Sequence, residues 1–224
     1  MASPSADATR RQIIRAAAHQ FARRPYHEVG LDDVLAEARL TKGALYFHFS
    51  SKYALALAII DEQTAAATGS LQDLLTRGLS GLETLIDFSF LVAARDIKSD
   101  LFRAALNLIE SVGQSEGRHR NLFGQWIKAL AAVVEQAIGE GDISEGCAPD
   151  GLGRMMLSVH MGLRKTSSLD DPQRFLSDLQ KCWTLLMSGI LQPDRHEYFE
   201  QFLRRRTALA VQQTPTLRSG SAVG

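Results

Sequence analysis

Three observations predict an all-α fold for this chain. Apolar residues recur at three- and four-residue spacing over nearly the whole length, and no stretch alternates apolar with polar residues as a half-buried strand would. Gly, Pro, Ser and Asp gather at 113–117, 139–149 and 168–172, where helices would end. The predicted architecture is a three-helix head, a long linking helix and a larger helical bundle. At 224 residues the chain is long enough to bury a substantial core. No run of about eighteen apolar residues suggests a membrane span. The two cysteines, Cys147 and Cys182, form no CxxC pair and no ligand cluster with His, so neither a disulfide framework nor a metal site is expected.

The elements follow in order. Ser5 or Asp7 can cap a first helix whose Ile14, Ala17, Ala18 and Phe21 fall on one stripe before Pro25 stops it; Arg10, Arg11 and Arg15 lie off that stripe. A second helix spans about Leu31 to Ala38, with Leu31, Val34 and Leu35 inward and Asp32 and Asp33 at its positive N-terminal end. The turn Arg39-Leu40-Thr41 then leads to a third helix with Thr41 as N-cap. A linking helix is expected from Ser51 to about Arg77, held through Leu55, Ile59 and Ile60. Further helices fit 82–95, 99–112, 119–139, 150–166, 172–191 and 194–212, and a disordered tail is expected over 213–224.

The segment Thr-Lys-Gly-Ala-Leu-Tyr-Phe-His-Phe-Ser-Ser-Lys, residues 41 to 52, is the most informative part of the sequence. Leu45 and Phe49 lie four apart and share a helix face that can anchor in a small core, while Lys42 and Tyr46 share another that stays free. Gly43 and Ala44 are nearly without side chains, which lets that helix end press into a DNA major groove. Lys42, Tyr46, His48 and Lys52 supply donors for phosphates. Core packing accounts for Leu45 and Phe49 but gives no reason for Lys42, Gly43, Tyr46 or His48. Thr41, Lys42, Gly43, Ala44, Tyr46, His48 and Lys52 are therefore the candidate DNA-contacting residues. Charge is distributed to match. Residues 1 to 53 carry eight Lys and Arg against five Asp and Glu, a surplus of three in a chain whose formal net charge is zero.

This segment resembles the signature of the TetR family of bacterial transcriptional repressors, in which a small residue, Leu, Tyr, a variable residue, His and Phe follow Thr-Lys-Gly, with Lys four residues on. The resemblance is dense over residues 29 to 60. It implies a helix-turn-helix DNA-binding domain at 1–53, a ligand-binding and dimerisation domain at 54–212, a palindromic DNA operator, a homodimer, and a cytoplasmic location without a membrane segment. Two positions depart from the family pattern. Arg39 stands where the family usually has Gly, and a left-handed turn there strains an L-residue by roughly a kcal/mol. Gly30 stands where Thr is common, so the second helix lacks a hydroxyl for phosphate.

In the body, Phe88, Phe90, Leu91, Phe102, Leu106, Ile109, Phe123, Trp126, Leu130 and Val133 exceed what a simple spacer needs. Polar groups interrupt these stripes at Gln63, Trp126 and His160. Buried polar groups need partners, and beside an apolar cavity they can bind the oxygens of a small neutral molecule. Gln63, Phe88, Trp126, Leu130 and His160 are the candidate ligand-binding residues, although His160 fits equally well as a satisfied core or dimer-interface histidine. Phe123-x-x-Trp126, Gly162-Leu163-Arg164 and Trp183-x-x-Leu186-x-x-Gly189-Ile190 resemble the γ-butyrolactone-receptor subgroup of TetR proteins. That resemblance implies a lactone, butenolide or furan ligand, release from DNA on binding it, control of antibiotic or secondary-metabolite genes, and a pocket lined by Trp126. The apolar repeat Leu176, Leu179, Trp183, Leu186 and Ile190 is the candidate dimer interface, with Met155, Val159 and Leu163 completing it.

Two alternatives stand beside this reading. An enzyme is disfavoured, because no Ser-His-Asp, paired-carboxylate, phosphate-loop or metal spacing is present, and no cofactor is called for. A DNA-binding regulator that answers to another apolar ligand, to a partner protein or to no ligand stays open.

Overall fold

The computed structural model describes residues 6–112 and 118–214, and it is all-α among those residues. Ten α-helices follow one another: α1 Ala6–Arg23, α2 Leu31–Ala38, α3 Lys42–His48, α4 Lys52–Leu75, α5 Gly81–Lys98, α6 Asp100–Val112, α7 Arg118–Gly139, α8 Pro149–Thr166, α9 Pro172–Ile190 and α10 His196–Gln213. The boundaries of α2 coincide with the expected ones, and the others differ by a few residues. The Ser5 cap, the 113–117 linker and nearly all of the expected tail at 213–224 lie outside the described residues. No described helix is long and apolar enough to cross a membrane.

The chain forms two compact units, passing between them within α4, between α5 and α6, and at the start of α7. The first comprises residues 1–68 and 99–121, so it reaches beyond the expected 1–53 head. The physical reason lies in the head itself, whose α2 and α3 are short. They dock on α1, which carries Ile13, Ile14, Ala17 and Phe21 as a buried stripe, and α6 covers α1 further. Leu55, Ala56, Ile59 and Ile60 of α4 are buried in the same unit. Helix ends leave carbonyls without partners, and here side chains from elsewhere supply them. Asn107 Nδ2 donates to the carbonyls of Phe21 and Ala22 at 3.0 and 3.3 Å, and Gln12 Nε2 donates to Ala38 O at 2.7 Å.

The second unit comprises residues 69–98 and 122–224. Its core draws Phe88 and Phe90 from α5, Leu130 and Val134 from α7, Met156 and Leu163 from α8, Leu176, Leu179 and Trp183 from α9, and Phe199 and Leu203 from α10. Two glycines let helices meet at backbone distance. A Cβ on Gly81 would lie 2.6 Å from Ala137 N, and one on Gly153 would lie 2.9 Å from Ile127 O, so α5 and α8 both rest directly on α7. The start of α5 is closed by a reciprocal cap between Ser80 and Glu83 and by Glu140, which accepts from Gly81 N at 2.6 Å. Asp142, after α7, accepts two hydrogen bonds from Arg195, at 2.9 and 2.6 Å, while Ile143 forms an isolated bridge with Leu191.

Candidate functional site

The helix-turn-helix forms from local rules that can be read residue by residue. Asp33 accepts from Gly30 N at 2.9 Å and from Arg24 at 3.1 Å, which caps α2 without a hydroxyl at residue 30. These bonds hold the Asp33 carboxyl below its ordinary value, the backbone bond from Gly30 most of all. At the other end of α2 the chain turns through Arg39, at φ 52° and ψ 45°. Arg39 N donates to Ala36 O and Leu40 N to Leu35 O, a paired closure that normally has Gly at its left-handed position. Thr41 then caps α3, its Oγ1 accepting from Ala44 N at 3.3 Å.

Only Leu45 of α3 is buried, and Phe49, the residue that ends the helix in extended conformation, is buried beside it in sequence. The remaining candidates face outward: Thr41, Lys42 and Gly43 are exposed, Ala44 and His48 are half-buried, and Tyr46 is 55% exposed. A Cβ on Gly43 would meet nothing nearer than Thr41 Oγ1 at 4.0 Å, so the approach to this helix end is open. Phe47 escaped sequence reading. It is 79% exposed, the ring packed edge-on against His48, and the signal for it was an aromatic residue at a position that neither helix stripe claims.

The cations of this region differ in availability. Lys42 Nζ lies 3.0 Å from Asp32 Oδ1, and that hydrogen bond raises its pKa, yet both side chains are largely in solvent. Lys52 departs from the expected role. Its ammonium donates at 3.0 Å to Tyr26 O and to Val29 O and sits 4.3 Å from the Tyr26 ring centroid. It closes the loop ahead of α2 and is therefore engaged by the fold, because a lysine at the start of α4 reaches the carbonyls of Tyr26 in the short 3-10 turn Tyr26–Glu28 and of Val29 just after it.

Residues 13–59 match the family described as bacterial regulatory proteins, tetR family. Residues 13–59 therefore form a TetR-family DNA-binding domain. Over 187 residues the chain is 30% identical to the A-factor receptor protein of Streptomyces griseus. That alignment covers 83% of this chain and 64% of the length of the A-factor receptor. Among solved structures, a γ-butyrolactone receptor described as ArpA-like superposes on this chain with a TM-score of 0.81 at 28% identity, covering 92% of this chain and all of that one. CprB of Streptomyces coelicolor, in complex with its biological operator sequence, gives 0.75 at 29% identity over 94% of this chain and 98% of that one. The family is one of regulatory proteins, and the enzyme alternative falls on that ground.

The candidate ligand residues divide between the two units. Phe88, Trp126 and Leu130 come together in the second unit, with the Trp126 ring stacked on Phe88 at 6.1 Å and 27°. The Trp126 indole is only partly buried, and its N–H finds no partner among the described residues. Gln63 is half-buried and belongs to the first unit. His160 is buried in the second unit. It packs edge-on against Phe175, and its Nε2 lies 3.4 Å from Asp96 Oδ2, which Arg164 Nε also reaches at 2.6 Å. Burial would push the Asp96 carboxyl up, but His160 and Arg164 together hold it below its ordinary value. No group of metal-ligating side chains occurs among the described residues.

The candidate dimer stripe on α9 requires correction. Leu176, Leu179 and Trp183 are enclosed within the subunit's own core, and Trp183 Nε1 donates to Ser89 Oγ at 2.7 Å. Leu186 and Ile190 are half-buried on the margin of that face. On α8 and α9 the large apolar side chains left in solvent are Met155, 49% exposed, and Leu185, 75% exposed. Leu163 likewise points inward.

Proposed function

We propose that this chain is a ligand-responsive transcriptional repressor that binds a palindromic operator as a homodimer through residues 1–53 and is released by a small, neutral, largely apolar lactone, butenolide or furan. The exposed face of α3 supports the DNA half of this reading. Lys42, Tyr46 and His48 offer donors, Gly43 and Ala44 leave the helix end open, and Phe47 suits the methyl group of a thymine. One helix-turn-helix reads one half-site, so two heads about one helical turn of DNA apart, or a multiple of it, are required. The protein acts in the bacterial cytoplasm, on genes that control antibiotic or secondary-metabolite production.

The observation that carries the ligand half is Trp126, an indole stacked on Phe88 whose N–H has no partner among the described residues. A flat ring with a few oxygens gains both stacking area and a hydrogen bond there. The A-factor receptor and the γ-butyrolactone receptors are similar over this region and lend the ligand class. Trp126→Ala is expected to keep DNA binding while losing release by a synthetic alkyl γ-butyrolactone, measured by operator retention. Unchanged sensitivity to the lactone makes Trp126 a core residue. If the wild type responds to no lactone, butenolide or furan, the chain is a regulator answering to another ligand, to a partner protein or to none.

Dimerisation is assigned to the outward faces of α8 and α9. Leu185 and Met155 are exposed there, and a Cβ on Gly162 or Gly189 meets nothing within the subunit. A helix-interior Gly costs about 1 kcal/mol against Ala, and close approach of a partner helix repays it. Leu185→Glu is expected to yield monomers in sedimentation at micromolar concentration; a persisting dimer moves the interface elsewhere.

A further inference from the structure

Eight cations lie in residues 1–53, and most are already engaged. Arg10 sits over the Phe49 ring and 4.0 Å from Glu62, Arg23 donates to Asp100 at 2.7 Å, and Arg24 donates to Asp33 and to Glu28 O. Lys42 is paired with Asp32, so recruiting it to a phosphate uncovers a carboxylate beside the same phosphate. Lys52 caps two carbonyls. Arg11, Arg15 and Arg39 have no partner among the described residues. Arg11 and Arg15 line a cleft whose wall also carries Glu37. Arg39 is then the cation that is exposed, unpaired and two residues ahead of the cap of α3.

Its backbone deepens the point. Arg39 occupies the left-handed region at φ 52°, the one non-glycine residue to do so among those described. Both hydrogen bonds that close α2 there come from backbone N–H groups, so glycine would make them without strain. A cation beside the C-terminal end of α2 offsets part of that strain. The remainder points to a contact outside the chain, since strained residues persist where their side chains do work.

We infer that Arg39 is a DNA-contact residue whose guanidinium neutralises a backbone phosphate at the edge of the groove that receives α3. The inference rests on the DNA-binding reading above. An arginine at the turn then strengthens operator binding although its backbone is strained.

The test uses DNA fragments retained by the wild-type protein from a random-sequence pool, with affinity measured across a salt series for wild type, Arg39→Gly and Arg39→Lys. Arg39→Gly is expected to melt roughly 2–4 °C higher and to bind the selected fragment about fivefold to tenfold more weakly. Its slope of log K against log salt falls by about 0.9 for each head on the DNA, about 1.8 for a dimer, and Arg39→Lys recovers most of that slope. A glycine variant with wild-type affinity and slope overturns the inference and leaves the DNA-binding reading standing. A wild-type protein that retains no fragment overturns both.

Discussion

The recognition segment at 41–49 and helix α9 look alike as sequence, since each sets aromatic and aliphatic residues at three- and four-residue spacing on one face. In the first, Leu45 and Phe49 turn into the head's core and the opposite face is left with Lys42, Tyr46 and Phe47. In the second, Leu176, Leu179 and Trp183 turn into the body's core and the opposite face is left with Lys181, Leu185 and Gly189. The expectation treated the apolar stripe as inward in the one case and as a partner-facing surface in the other. Periodicity says that a face is covered; it does not say whose atoms cover it. What distinguishes a functional helix is the content of its uncovered face, and on α9 that face holds the exposed leucine and the small residues.

Three measurements break or sharpen this comparison, taken from the largest effect down. Trp183→Ala should cost about 3–5 kcal/mol in urea unfolding, because it removes a buried indole and leaves the Ser89 hydroxyl without the donor it now accepts from. Should that variant instead keep its stability and lose its dimer, the α9 stripe is intermolecular after all. Next comes Asp96→Asn, which removes the buried carboxylate charge that Arg164 and His160 both approach and should cost about 3 kcal/mol at pH 7. The pH dependence has a definite sign. The folded carboxyl titrates below its unfolded value, so the stabilisation is complete above about pH 4 and drains away as pH falls through the folded value. Denaturant titrations at pH 7 and pH 3 should therefore differ less for Asp96→Asn than for wild type; equal differences would remove the pair from acid unfolding. The smallest effect belongs to Lys42→Ala, whose exposed pairing with Asp32 contributes little to the fold. Stability should hardly change in thermal melts, while operator affinity falls; a marked drop in melting temperature would show that Lys42 holds the head together.

The helices were legible because caps and stripes agree locally. Thr41 accepts the bond from Ala44 that its position predicts, and Pro149 and Pro172 open α8 and α9 at their first turns. The left-handed turn at residue 39 was legible too, from the family pattern alone. What escaped depends on residues far apart in the chain. Asp96 and Arg164 are 68 positions apart, and nothing local to His160 announced the carboxylate it would meet. Lys52 reads as a free cation until the fold brings the carbonyls of Tyr26 and Val29 beneath it. The packing of α6 on α1 is likewise a matter of topology, and it carried the first unit beyond residue 53.

The recognition helix is seven residues long and has one buried side chain, Leu45. A peptide of that length does not hold a helix in water, since the nucleation penalty exceeds the gain from so few bonds. The reading surface therefore exists only while Leu45 and the neighbouring Phe49 stay docked. Local melting of a few residues would erase it long before the rest of the protein unfolds. Under the proposed function, occupancy of DNA is thermally fused: warming that leaves the body folded can still empty the operator.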